Sequence, residues 1–267
     1  LGEKFSEYPD DFYPGDYLMP VAQYFVSTHN TKLLEMNDEE RFSLIKPYTV
    51  NFMINLIKED LAALSINQDI FISEQDLVNE GKIDKAIKAL EKSNLIYEGV
   101  LDPPKGKKPD DWEPRPQMLF KSTNYGDEVD RPLQKSNKEW TYFANDIAYH
   151  FDKYKRGSTH LIDILGADHG GYVKRMTAAV AALSDNKALF TAKLCQMVKL
   201  TRDGKQVKMS KRSGEFITLR EVIDEVGSDS IRFMMLYRKN EAPLEFDFTK
   251  VTEQSKDNPV FYVHMQI

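Results

Sequence analysis

Residues 161–168 read LIDILGAD, residues 172–183 read YVKRMTAAVAAL and residues 193–200 read KLCQMVKL. The first is an apolar run closed by Gly166, which predicts a buried strand running into a loop. The second has apolar residues at helical spacing, and the third predicts another buried strand. Strand, helix, strand in that order points to an α/β domain with a parallel sheet. Function in such sheets gathers at the carboxyl ends of the strands, so Gly166 and the residues after it are where chemistry is expected.

Working upstream, WTYFANDIAYHFDKY (140–154) predicts an amphipathic helix and MLFKST (118–123) a short strand. Residues 99–117 are rich in Pro, Gly and charge and predict a loop. Residues 37–98 read as mostly helical. Asn37 or Asp38 caps one helix, Ser73 caps a second that Gly81 ends, and a third runs from Asp84 to Leu95. Residues 69–72, Asp-Ile-Phe-Ile, read as a short strand. Pro14-Gly15 predicts a turn and residues 16–29 a helix. The organisation expected is an N-terminal part at 1–36, a helical insertion and loop at 37–117, a core at 118–250 and the start of a further region at 251–267.

Downstream, Asp203-Gly204 lies between KLCQMVKL and QVKMS, a strong hairpin signal because Gly tolerates positive φ. The hairpin delivers Lys208-Met209-Ser210-Lys211-Arg212 beside the sheet. Two ammonium groups three residues apart, a hydroxyl and backbone N–H groups suit a triphosphate whose charge shifts onto leaving pyrophosphate. By charge alone the segment also reads as a basic surface loop. Gly166-Ala167-Asp168-His169 places a carboxylate at a strand end, where it can accept from ribose hydroxyls. Asp168 also reads as the cap of the helix beginning near Gly171. Tyr142 and Asp146 are four apart and share a helix face. A carboxylate beside an aromatic ring suits a guanidinium, and the same pair fits an ordinary amphipathic helix.

The chain has 267 residues, 41% hydrophobic and 29% charged, with a formal net charge of -6. That is an ordinary soluble composition and argues against coating nucleic acid through overall charge. There is no run long enough for a membrane span and no signal peptide at the start. The single cysteine, Cys195, excludes an internal disulfide or a thiolate metal cluster and points to a reducing cytoplasm. No protein metal site is visible in the sequence.

KMSKR resembles the second signature of class I aminoacyl-tRNA synthetases. TYFANDIAYH with GADHGGYVKRM is similar to the arginine enzyme in its bacterial form. YPGDY, IKEDLAAL, SEQDL, LFKSTNYGDEVDRPL and KDNPVFYV follow in family order, so the resemblance covers nearly the whole chain. It implies a partial Rossmann-like parallel sheet with a mostly helical insertion. It implies ATP-dependent activation of L-arginine and its transfer to tRNA(Arg), with Mg²⁺ travelling with ATP, in a cytoplasmic and monomeric parent. It implies that Lys211 stabilises the leaving group with Lys208 and Ser210 in support. ATP would be met by Gly166, Asp168, His169 and Met209, and the substrate arginine by Tyr142 and Asp146. The family's His-x-Gly-His signature is absent, and HMQI at the end departs from the family pattern. Both ends therefore read as cuts, and the chain alone is expected not to catalyse activation. The alternative is an inactive remnant that holds a nucleotide or arginine.

Overall fold

The computed structural model describes residues 16–101, 115–207, 216–256 and 258–264. In chain order the elements are α1 (Met19–His29), α2 (Lys32–Glu35), α3 (Asp38–Ala63), α4 (Glu74–Asn79), α5 (Lys82–Lys92), β1 (Ile96–Gly99), β2 (Gln117–Phe120) and β3 (Arg131–Pro132). There follow α6 (Tyr142–Lys155), β4 (His160–Gly166), α7 (Tyr172–Ser184), β5 (Leu189–Cys195), β6 (Val198–Arg202), β7 (Lys205–Gln206), α8 (Leu219–Val226), α9 (Ser228–Tyr237), β8 (Leu244–Asp247), α10 (Phe248–Thr252) and α11 (Pro259–His264). They fall into two compact units. One is Ile70–Met197 with Asn240–Ala242; the other is Leu1–Asp69, Val198–Lys239 and Pro243–Ile267. Among the described residues no helix is long and apolar enough to cross a membrane.

The first unit is built on the predicted crossover. β4 and β5 pair in parallel, from His160↔Leu189 to Gly166↔Cys195, and α7 connects them. Alternation along the strands turns Leu161 and Phe190 into the core and leaves Ile162, Ile164 and Leu189 exposed on the other face. Ile83, Ile87 and Leu90 of α5, Phe143, Ala144, Ile147 and Ala148 of α6, and Met176, Ala179 and Val180 of α7 complete that core. Ile147 is fully buried, so truncating it to Ala removes packing worth roughly 2–5 kcal/mol. Because α6 buries 143, 144, 147 and 148, Tyr142, Asp146, Tyr149 and Lys153 line a different side of the helix. Its start is capped by the Thr141 hydroxyl, which accepts from the Ala144 N–H.

Two local readings are corrected here, and a third gains its sheet partners. Residues 69–72 form no strand: they find no neighbouring strand to pair with, and Ile70 is exposed. The strand expected over 193–200 is two strands. β5 stops at Cys195, the Gln196 N–H donates to the Asn240 carbonyl, and the Asn240 side chain donates to the Leu194 carbonyl. The MLFKST strand exists as β2, but it pairs antiparallel with β1 and β3 and stays outside the parallel pair.

In the second unit, Asn37 and Glu40 form a reciprocal capping box that starts α3. Val21 and Phe25 of α1 are buried with Leu33 of α2, and Ile45, Tyr48 and Phe52 of α3 pack on them. β6 pairs in parallel with β8 and antiparallel with β7. The β6–β7 turn puts Asp203 at φ 51° and Gly204 at φ 72°, the two left-handed residues a tight hairpin demands. Asp247 fixes this turn. Its carboxylate accepts from the Gly204 N–H, the Thr201 hydroxyl and the N–H groups of Thr249 and Lys250. Phe246, Phe248, Val226 and Ile231 form the core beneath.

Candidate functional site

A cleft of about 660 Å³ opens in the first unit, and its lining residues run from Tyr142 to Arg175. α6 contributes Tyr142, Asp146, Tyr149, His150 and Lys153; β4 contributes Asp163; α7 contributes Tyr172 and Arg175; His169 comes from the short 3-10 turn between β4 and α7. Two of the residues assigned to arginine and one assigned to ATP are thus brought together. The packing already described forces this, since α6 and α7 both pack on the β4–β5 pair.

Asp146 is half-buried and makes no ion pair among the described residues. Burial pushes its carboxyl above the usual carboxylate range, although a hydrogen bond from the Tyr172 hydroxyl works against that rise. The Tyr172 phenol is itself driven well above its ordinary value, by burial first and then by the Asp146 charge. Tyr142, one turn before Asp146, is 78% exposed, so its ring forms an open wall that a ligand can cover. The His169 ring stands edge-on to Tyr172, 6.4 Å between centroids.

Below Asp146 lies a second layer of charge. One His150 ring nitrogen donates to the Asp146 carbonyl at 2.7 Å, and the other meets the Asp163 carboxylate at 2.8 Å. The Lys153 ammonium donates to the same carboxylate at 3.1 Å and lies 4.3 Å from the Tyr149 ring centroid. Burial pushes the Asp163 carboxyl up, but His150 and Lys153 outweigh it, and the group ends below the usual range. The tie to Asp163 holds α6 to β4, while the tie to the Asp146 carbonyl stays within α6 and anchors the ring to the backbone that carries Asp146. Sequence reasoning passed over Asp163, His150 and Tyr172. An acid inside the apolar run LIDIL was the available signal, because a charge in a buried strand needs a partner.

Gly166 ends β4 with ordinary backbone angles. A Cβ built there would stand 2.6 Å from Asp168 Oδ1, so the glycine leaves room for that carboxylate to fold back over the strand end. Asp168 does not cap α7: the helix begins at Tyr172, with Gly171 at its N-cap and no side-chain cap. Asp168 and His169 are exposed. Lys208, Met209, Ser210 and Lys211 lie outside the described residues. Among the described residues no three His, Cys, Asp or Glu side chains cluster as metal ligands.

No family model matches the chain. Curated relatives do. The arginine–tRNA ligase of Parvibaculum lavamentivorans is 56% identical over 263 residues, 98% of this chain and 45% of the relative. That of Brucella anthropi is 57% identical over 265 residues, with the same coverage. A Campylobacter jejuni structure described as an arginyl-tRNA synthetase superposes with a TM-score of 0.81 at 31% identity, over 98% of this chain and 53% of that one. The Thermus thermophilus arginyl-tRNA synthetase shares the fold, with a TM-score of 0.62 at 16% identity over 94% and 54% of the two chains. The chain belongs to the bacterial arginyl-tRNA synthetase family. It spans about half the length of the curated relatives it matches.

Proposed function

We propose that this chain carries the amino-acid pocket of an arginine–tRNA ligase, which activates L-arginine with ATP and transfers it to tRNA(Arg). The observation that supports this reading most is Asp146: a half-buried carboxylate without an ion-pair partner among the described residues, influenced by Tyr172 and sharing the cleft with the Tyr142 ring. A guanidinium offers paired N–H donors and never loses its charge, so an unpaired carboxylate on a rigid helix is its natural receptor.

In the proposed reaction a carboxylate oxygen of arginine attacks the α-phosphorus of ATP, and the bond to pyrophosphate breaks. A hydroxyl of the terminal tRNA ribose then attacks the arginyl carbonyl, and AMP leaves. Pocket residues hold the amino acid in line for the first step. Asp168, His169 and the Gly166 backbone are the residues proposed to meet ATP, which brings Mg²⁺ with it. Lys208, Met209, Ser210 and Lys211 are assigned to the phosphates and nucleotide on the resemblance of their motif. Preorganised cations of this kind act where charge develops on the leaving group. A cytoplasmic, monomeric protein is part of the same reading, and the single cysteine supports its cytoplasmic side.

The test is direct binding. Calorimetry should show arginine binding to the wild-type chain and its loss in Asp146→Asn, which removes the charge and nearly keeps the size. The expected cost is roughly 3–5 kcal/mol for an ion left without its partner. ATP binding should be unchanged. Equal arginine affinity in the two proteins would remove Asp146 from substrate recognition.

A further inference from the structure

Arg175 is a cation in the cleft wall that the guanidinium reading leaves unused. It follows Tyr172 by one turn of α7, so the two side chains share a side of the helix, and both line the cleft. Its Nε is buried and has no hydrogen-bond partner among the described residues. A guanidinium cannot shed its proton, so this donor cannot be silenced by neutralisation. A buried donor without an acceptor is costly and rare in a native fold.

The neighbouring acid does not resolve it. Asp127 is committed to Arg131, which donates from Nε and Nη2 at 2.7 Å each. Ser122 and the Glu128 N–H also donate to the Asp127 carboxylate. Two guanidiniums thus face one carboxylate, and the second repels the first. Nor does Asp146 resolve it. Among the described residues Asp146 and Arg175 line one cleft without pairing. Opposite charges held apart in a cavity of this size describe a site for a small ligand with a cation at one end and an anion at the other.

We infer that Arg175 reads the carboxylate of the same amino acid whose guanidinium meets Asp146. The inference rests on the arginine-binding reading and assigns that pocket its second pole. A single contact from the Arg175 guanidinium to one carboxylate oxygen leaves the other oxygen free to attack phosphorus. It also predicts a specificity that a guanidinium receptor alone lacks: rejection of guanidinium compounds with no carboxylate.

Agmatine is arginine without its carboxylate and is the probe. Arginine and agmatine are titrated by calorimetry into the wild-type chain, Arg175→Met and Arg175→Lys, with thermal unfolding as the check on folding. Wild type should prefer arginine by about tenfold, the scale of one hydrogen bond to a charged group. Arg175→Met should bind both ligands alike, with agmatine affinity within about twofold of wild type. Arg175→Lys lacks the Nε donor and should lose most of the preference; it carries the test if the methionine variant fails to fold. The wild-type ratio surviving in the variants overturns the inference. So does an equal weakening of both ligands, which marks a structural role. A wild-type chain that binds neither ligand overturns the arginine reading, and this inference with it.

Discussion

Tyr172, in the first turn of α7, favours the charged form of the Asp146 carboxylate, so α7 acts on the helix α6 that carries the proposed substrate-reading charge.

Removing the Tyr172 hydroxyl should weaken arginine binding without unfolding the protein. Burial already holds Asp146 above the usual carboxylate range, and Tyr172 opposes the rise. Tyr172→Phe therefore raises it further. The ionised form is the one that binds a cation, so arginine affinity should fall as pH drops through this raised value. The fall should begin at higher pH in Tyr172→Phe than in wild type. At neutral pH the loss should be about fivefold, one ordinary hydrogen bond. Calorimetric titrations between pH 8 and pH 5 check this; superimposable pH profiles would show that Tyr172 does not act on the carboxylate.

Asp127 should govern acid stability in the first unit. Burial pushes its carboxyl up, but Arg131, the Glu128 N–H and Ser122 overcome this and leave it below its ordinary value. The unfolded chain then holds the proton more readily than the folded one. Stability from Asp127 is complete above the ordinary carboxylate range and is lost as pH falls through that range toward the folded value. Asp127→Asn should cost roughly 3–5 kcal/mol at neutral pH, because it leaves Arg131 largely buried and unpaired. Urea unfolding of the variant should also show a shallower pH dependence across that window. A variant as pH-sensitive as wild type would assign the acid response to other carboxylates.

Two glycines separate conformational strain from crowding. A Cβ at Gly204 or at Gly171 meets no atom within 4 Å. Gly204 has φ 72°, whereas Gly171 has φ -68°, an ordinary right-handed angle. Gly204→Ala should therefore destabilise by about 1–2 kcal/mol, and Gly171→Ala by close to nothing. Denaturant midpoints of the two variants give the answer directly. Equal midpoints would mean the hairpin turn relaxes to a right-handed form at no cost.

The crossover from β4 through α7 to β5 was readable because apolar runs and helical spacing act locally, and the β6–β7 turn because Asp-Gly encodes its own backbone. Tyr142 and Asp146 were readable as one face for the same reason. What escaped depends on residues far apart in the chain. The stop at Cys195 is made by Asn240, and no property of KLCQMVKL announces it. The tie from His150 to Asp163 and the bond from Tyr172 to Asp146 exist only once α6, β4 and α7 are packed. The failed strand at residues 69–72 shows the converse: strand-forming side chains without a neighbour to pair with do not make a strand.

Among the described residues, every side chain that lines the cleft falls between Tyr142 and Arg175, so this wall of the proposed site is written in one short passage of the chain. Among the described residues no distant segment supplies a wall of this cleft, and closing short loops costs little chain entropy. Contacts so near in sequence belong to the class that forms early in folding. For heredity, the consequence is that a recombination break outside this passage changes what surrounds the cleft, while the side chains that line it are inherited together.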